Sequence, residues 1–377
     1  MSSAHFQVTH RDPDTSARCA TLQTAHGAIQ TPVFMPVGTQ ATVKTLSSED
    51  VKQAGAQIIL SNAYHLYLRP GVDCIEAMGG LHRFMGWNGP ILTDSGGFQI
   101  FSLKEKKKLT TEGLEFKSHL DGSKHFLTPE RVVEIETRLG VDILMPLDEC
   151  IPYPADEARA HAALKLTQLW LERSKAAWLA GGKPGSHLFS IIQGGVHPHL
   201  RREAAQRAAE LDLPGNAIGG LSVGEPQDEM CRMLEVTVPE MPENRPRYLM
   251  GVGYPDDLLL AVERGVDMFD CVAPTRNGRN GTLFTSRGKL LIRNAEFARD
   301  EKPLDPDCAC PTCRSHSRAY LRHLFQAKEI LAQRLASLHN IAFFIQLLER
   351  ARFSIQAGSF LQFKNQFFKQ YREGTKS

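Results

Sequence analysis

RLGVDILMPLD, residues 138–148, decides the fold. A helical segment ends at Gly140, a residue free to adopt the left-handed backbone of a helix C-cap, and a short apolar run follows until an aspartate stops it. QAGAQIILSN (53–62) and ERGVDMFDCV (263–272) repeat the pattern, the latter also repeating Gly-Val-Asp. Helix starts agree. Thr128 precedes Pro129 and Glu130 as an N-cap hydroxyl before a first-turn proline, and Ser47 with Asp50 has capping-box spacing. Apolar runs of strand length fall at Val33–Val37, Ile58–Leu60, Ile91–Thr93, Ile143–Leu147, Leu188–Ile192, Ala217–Leu221, Tyr248–Val252 and Val266–Phe269, with helix-like stretches between most of them. Eight parallel strands with crossover helices close into a (β/α)8 TIM barrel of the α/β class. A smaller doubly wound sheet leaves some of these runs unexplained.

Outside that alternation, residues 17–36 read as a hairpin about Ala25-His26-Gly27 that caps the bottom of the barrel. Residues 104–128 carry a second hairpin signal at Asp121-Gly122, preceded by the basic run KEKKK, on the active face. Beyond Asp270 the regular pattern gives way to a cysteine cluster and an aromatic-rich helical tail. The expected organisation is a barrel with its capping hairpin (1–273), an insertion bearing the cysteine cluster (274–345) and a C-terminal helix packed on the barrel (346–377).

Composition narrows the class. With 42% hydrophobic and 23% charged residues the chain can bury a large core. No stretch approaches the roughly 20 apolar residues of a membrane span, and no export signal opens the sequence, so no membrane partner and a cytoplasmic location are expected. Net charge is only +2, but between Pro274 and Arg334 twelve Lys/Arg face six Asp/Glu, a basic patch of the kind that meets a phosphate backbone. Of eight cysteines, three are packed into CACPTC (308–313), spacing that suits a metal better than a disulfide framework.

Chemistry in such a barrel sits where strands end. The runs end at Asp94, Asp148, Gln193, Gly219-Gly220, Gly251 and Asp270, so three carboxylates, a carboxamide and several backbone amides converge on one pocket. The blocks around them, DSGGFQ (94–99), PLDEC (146–150), IIQGG (191–195), GGLSVGE (219–225), YLMGVG (248–253) and DCVAPTRNGRNG (270–281), resemble those of bacterial-type tRNA-guanine transglycosylases, the queuine or preQ1 tRNA-ribosyltransferases. The similarity spans nearly the whole chain.

That resemblance implies exchange of guanine at wobble position 34 of GUN-anticodon tRNAs (Asp, Asn, His, Tyr) for preQ1, by double displacement through a covalent aspartyl-ribose intermediate, within queuosine biosynthesis. Asp270 is the implied nucleophile and Asp94 the general acid/base. The base pocket is implied to comprise Asp94, Ser95, Gly96, Gly97, Phe98, Asp148, Gln193, Gly220, Leu221, Tyr248, Met250 and Gly251. Phe98 would stack on the base, Asp148 would accept the N1–H and N2–H of guanine, Gln193 and the Gly220 amide would donate to O6, Leu221 would meet the substituent at position 7, and Tyr248 and Met250 would wall the base plane. Val223 and Cys150 match the bacterial, preQ1-sized pattern.

Contacts to the tRNA anticodon stem-loop are implied for Gly251, Val252, Gly253, Tyr254, Pro255, Asp256, Asp257, Thr275, Arg276, Asn277, Gly278 and Arg279, with Lys289 and Arg293 as further basic residues near the metal. Cys308, Cys310, Cys313 and His339 are the expected ligands of one structural Zn2+, four protein donors leaving no open position. No organic cofactor is expected, and the family implies a homodimer. A retaining glycosidase on the same barrel and a non-catalytic RNA-binding subunit are the rival readings. The first should lack the cysteine knuckle, and intact Asp94 and Asp270 weigh against the second.

Overall fold

Three antiparallel strands, β1 (Phe6–Arg11), β2 (Arg18–Thr24) and β3 (Gly27–Thr31), open the computed structural model, which describes residues 5–102 and 107–375. The barrel begins with β4 (Val33–Pro36), β5 (Ile59–Asn62) and β6 (Ile91–Asp94). An antiparallel insertion of β7 (Lys108–Thr110), β8 (Gly113–Lys117) and β9 (Lys124–Leu127) follows. The barrel resumes with β10 (Ile143–Leu144), β11 (His187–Ile192), β12 (Gly215–Ile218), β13 (Arg247–Leu249) and β14 (Met268–Cys271). A hairpin of β15 (Thr282–Thr285) and β16 (Gly288–Leu291) comes last.

The eight expected strands are present in the order β4-β14-β13-β12-β11-β10-β6-β5, every pairing parallel. A parallel bridge between Val37 and Leu60, with the Gly38 N–H donating to the Leu60 carbonyl at 2.6 Å, brings β4 back to β5 and closes the ring. The local signals act as read. Ser47 and Asp50 form a reciprocal capping box, the Thr128 hydroxyl accepts from the Arg131 N–H, and Gly55, Gly140 and Gly265 have φ of 91°, 77° and 88°.

Inside the ring, Val33, Met35, Leu92, Ile143, Phe189 and Met268 pack with Phe6, Leu22 and Ile29 of the N-terminal sheet. The hairpin therefore plugs the barrel, as its position before β4 suggested. Its third strand, β1, was not anticipated, because FQVTHR buries only its first residue. The second insertion likewise gains β7 beyond the expected hairpin, while Lys104 to Lys106 of the basic run lie outside the described residues.

The eighth helix of the ring comes late in the chain. After β14 the chain makes helix Ala273–Asn280, the β15–β16 hairpin and the cysteine segment before helix Ile330–Gln356 returns to the barrel, placing Phe344 on Phe34 at 5.1 Å and Arg352 on the Pro32 carbonyl at 2.7 Å. This helix runs unbroken through the expected boundary at 345/346, so its metal-facing and barrel-facing parts are one rod. Helix Phe360–Thr375 then packs by β16 and helix Pro255–Glu263, where Lys364 pairs with Glu263.

A buried ion pair sits at the barrel bottom. Arg18 donates to both oxygens of Asp267, at 3.0 and 2.6 Å, and to the Glu243 and Arg245 carbonyls, tying the plug to the start of β14. Both side chains are fully buried. Removing one member strands the other's charge, which typically costs about 3–5 kcal/mol. Asp267→Ala should lose stability of that order in urea unfolding; a loss below about 1 kcal/mol would show that the pair does not hold the plug.

Candidate active site at the barrel mouth

Asp94 ends β6, and Asp270 is the third residue of β14, which begins and ends two residues later than the apolar run suggested. Asn62, ending β5, and Gln99, on helix Gly97–Ser102, both donate to Oδ2 of Asp94, Gln99 at 2.8 Å, while its buried Oδ1 has no side-chain partner among the described residues. Burial, with the negative charge of Asp270 added, pushes Asp94 up to about 7 against these amides. Asp270 receives the Tyr248 hydroxyl and the Gly251 N–H on one oxygen, Oδ1, both at 2.7 Å. Burial raises its pKa as well, and the two donors oppose that.

Asp148 lies just beyond β10 and is buried. A Cβ added to Gly97 would sit 3.1 Å from the Asp148 carbonyl and 3.3 Å from its Oδ1, so Asp94 and Asp148 share one loop cluster. Burial pushes Asp148 up to about 6, opposed by the Gln193 amide, which donates to its Oδ2 at 2.7 Å. Gln193 lies across Gly219 and Gly220, and a Cβ on Gly220 would fall 2.3 Å from its Oε1. At Gly96, φ is 84° and a Cβ would fall 2.4 Å from Cβ of Tyr64, so the turn after Asp94 demands glycine. The three acids expected at separate strand tips thus meet at one mouth, with Ser95 buried beside them, accepting from the Gly97 N–H at 3.3 Å, and Phe98 58% exposed above.

Tyr248 differs from the expectation of a wall for a flat ligand. Its ring is 1% exposed in the barrel interior, and its hydroxyl holds Asp270 instead. Met250 packs half-buried against that interior, and Leu221 is buried. Two groups were missed. Asn62 stops an apolar run as the acids do, and the same rule applied to QIILSN would have found it. Arg201, in helix Pro198–Glu210, is fully buried against the Gln193 and Gly219-Gly220 loops, although HLRREAAQR looks like a solvated helix face.

The segments expected to meet RNA divide by exposure. Gly251, Tyr254 and Arg276 are exposed, and Asp256, Asp257, Asn277 and Arg279 are half-buried. Val252, Gly253, Pro255, Thr275 and Gly278 are buried and serve the fold. Gly253 lets β14 approach, since a Cβ there would fall 2.1 Å from that of Cys271; Gly278 lets two helices cross, a Cβ there lying 3.0 Å from the backbone of Ala336. Lys289 stands over the Tyr254 ring at 4.7 Å and Arg293 over Phe325 at 4.8 Å.

Cys308, Cys310, Cys313 and His339 are buried with their ligand atoms within 4.8 Å of one another, a group that could hold a metal ion. His339 Nδ1 lies 3.3 Å from Sγ of Cys313 and 3.6 Å from Sγ of Cys310. Its Nε2 is 2.8 Å from the Phe284 carbonyl, and donation there leaves the Nδ1 lone pair for a ligand. His26, His82 and Asp142 also cluster, but the carboxylate already accepts four donors: two from His26, one from His82 and one from the Ile91 N–H. The imidazoles stack with centres 3.6 Å apart. Two imidazoles on one tetrahedral ion, with bonds of about 2 Å, stand roughly 5 Å apart, so this is a hydrogen-bond hub. Elemental analysis should find one ion per chain bound at the cysteine group, and Cys310→Ser should abolish it and lower the thermal midpoint by about 5 °C or more. Full metal retention in that variant would remove Cys310 from the ligand set.

A family model described as queuine tRNA-ribosyltransferase matches residues 12–373. Proteins named queuine tRNA-ribosyltransferase are similar over nearly their whole length. That of Thermoanaerobacter sp. (strain X514) is 57% identical, over 98% of each chain. Those of Pelotomaculum thermopropionicum and Halothermothrix orenii are 53% and 52% identical, over 97% and 98% of this chain and 98% of each relative.

Proposed function

Because the chain belongs to the queuine tRNA-ribosyltransferase family, we propose that it exchanges guanine at wobble position 34 of GUN-anticodon tRNAs for preQ1, by double displacement through an Asp270-ribose ester. The observation that carries this reading is the pair of acids Asp94 and Asp270, set against one another in different hydrogen-bond environments. Tyr248 and Gly251 both donate to Oδ1 of Asp270, which leaves Oδ2 to attack the anomeric carbon as the sugar–base bond breaks. Asp94, with Oδ2 held by two amides and, among the described residues, no side-chain partner on Oδ1, starts protonated on Oδ1, gives that proton to the departing guanine and recovers one from the ring N–H of the incoming base. Attack of that base on the ester from the opposite face restores the original configuration and frees the Asp270 carboxylate.

Guanine and preQ1 share an edge of two adjacent N–H donors beside a carbonyl. Asp148 accepts the donors, and Gln193 and the Gly220 N–H serve the carbonyl. The Gln193 amide donates to Asp148, and base binding would exchange that contact for two better-matched ones. Val223 lines a small cleft with Tyr153, Gly195 and Gly220 next to this edge, which suits an aminomethyl substituent better than a bulky one. The exposed Phe98 stacks on the base, and Arg276, Arg279, Tyr254, Lys289 and Arg293 bind the anticodon arm.

One Zn2+ in the Cys308, Cys310, Cys313 and His339 group ties the basic insertion (274–345) to the long helix. Its role is structural, since four protein donors fill its shell. The family reading also makes the protein a cytoplasmic homodimer. No helix among the described residues is long and apolar enough to cross a membrane.

The decisive experiment is exchange of radiolabelled guanine into tRNA. Asp270→Asn should abolish exchange and the RNA–protein adduct seen on denaturing gels, and an active variant would exclude the ester mechanism. Wild-type kcat/KM for tRNA should fall above pH about 7, where Asp94 loses the proton it must donate, and below about 6, where Asp148 gains one and stops accepting both N–H groups. A profile flat from pH 5.5 to 8.5, roughly the span of both limbs, would contradict these assignments.

A further inference from the structure

Arg201 is 0% exposed, yet among the described residues it makes no bond to a carboxylate. Its guanidinium spends its donors on backbone carbonyls. Nε meets Gly195 at 2.8 Å, Nη1 meets Ile192 at 3.1 Å and Gly219 at 2.8 Å, and Nη2 meets Gly220 at 3.2 Å. Burial lowers its pKa to about 10, which still leaves it a cation at neutral pH. An unpaired buried cation is expensive, and a fold that needed merely to fill this space would use an apolar side chain.

The four carbonyls are not scattered. Two flank Gln193 at the tip of β11 and two flank the Gly220 amide nitrogen at the tip of β12. A trans peptide points its C=O and N–H in opposite directions, so a Gly219 carbonyl turned toward Arg201, in the helix layer, turns the Gly220 N–H toward the barrel mouth. The positive charge at the carbonyl end of that peptide also polarises its N–H, strengthening it as a donor. Gly220 has φ of 66°, a left-handed conformation open to glycine, and the bonds from Arg201 to the Gly219 and Gly220 carbonyls hold the loop in it.

We propose that Arg201 is a positioning residue for recognition of a 6-oxopurine: by bonding the carbonyls of two neighbouring strand tips it aims the Gly220 N–H, and the loop bearing Gln193, at the purine O6. The cation is thereby felt at O6 through the peptide, without touching the base. This rests on the reading of the pocket as a guanine site and names the device that makes it selective for a carbonyl at that corner.

The test compares inhibition or dissociation constants of guanine and 6-thioguanine, which keeps both N–H donors but offers a weak acceptor in place of O6, for wild type, Arg201→Met and Arg201→Lys. Wild type should favour guanine. In Arg201→Met guanine should weaken about tenfold while 6-thioguanine changes less than about threefold, and KM for tRNA should stay near its wild-type value. Arg201→Lys keeps the charge in a shorter reach and should show the same selective loss at smaller size, so it carries the test if the Met variant does not fold. Equal weakening of both bases, or an unchanged preference, would overturn the proposal and leave Arg201 a support of the fold. No preference for guanine in wild type would overturn it as well. Wild type that neither binds guanine nor exchanges it would refute the pocket assignment itself, a different result from any of these.

Discussion

Two carboxylates buried at one barrel mouth cannot both be charged cheaply, and the mouth is organised around that burial, to which the charge of Asp270 adds at Asp94. Asp270 has a hydroxyl and an N–H on one oxygen, which favour its anion. Asp94 has neutral amides on one oxygen and, among the described residues, no side-chain donor on the other, and burial, with the neighbouring charge added, pushes it toward the protonated form. The proposed mechanism uses this difference, one acid attacking and the other carrying a proton, although the residue type is the same. The difference comes from what each strand tip sets beside it, which depends on the closed ring.

Closure also separates stability from chemistry. At the bottom, Arg18 is matched with Asp267 and Asp142 with its two imidazoles, while Arg247 bonds only backbone carbonyls. At the top, Asp94 and Asp148 have neutral partners and Arg201 has only carbonyls. A group with a strong ionic partner is unavailable to a substrate, so the acids left without one are those at the mouth. The N-terminal plug makes this affordable by filling the lower interior with Phe6, Leu22 and Ile29.

How much of this the sequence disclosed follows from the range of each interaction. Helix caps at Ser47, Thr128 and Gly140 are local, and the strands are bounded by residues a few positions away, so these were legible. The acids were legible too, because a charge ending an apolar run breaks the pattern. Tyr248 was misread because its hydroxyl bonds Asp270, 22 residues on, across a strand pairing that no local pattern reveals. Arg201 was invisible for the opposite reason: an arginine in a helix rich in Arg and Glu has the look of solvated surface, and only tertiary packing turns it inward. Gly253 and Gly278 were grouped with RNA-facing neighbours when their role is close backbone approach.

The late return of the eighth helix gives the insertion its mechanical meaning. Between β14, which carries Asp270, and helix Ile330–Gln356 the chain leaves the barrel to build the hairpin and the cysteine group. That one helix carries His339 into the metal group and Phe344 onto β4, while its Asn340 bonds the Pro274 and Thr282 carbonyls and the Phe284 N–H. Helix Ala273–Asn280, starting three residues after Asp270, is packed against it at Gly278. On the proposed reading, a substrate arm held by the insertion would be referenced through a single rod to the strand bearing Asp270. An ion in the cysteine group would then matter to the reaction without entering it, because loosening the rod would move Arg276 relative to Asp270.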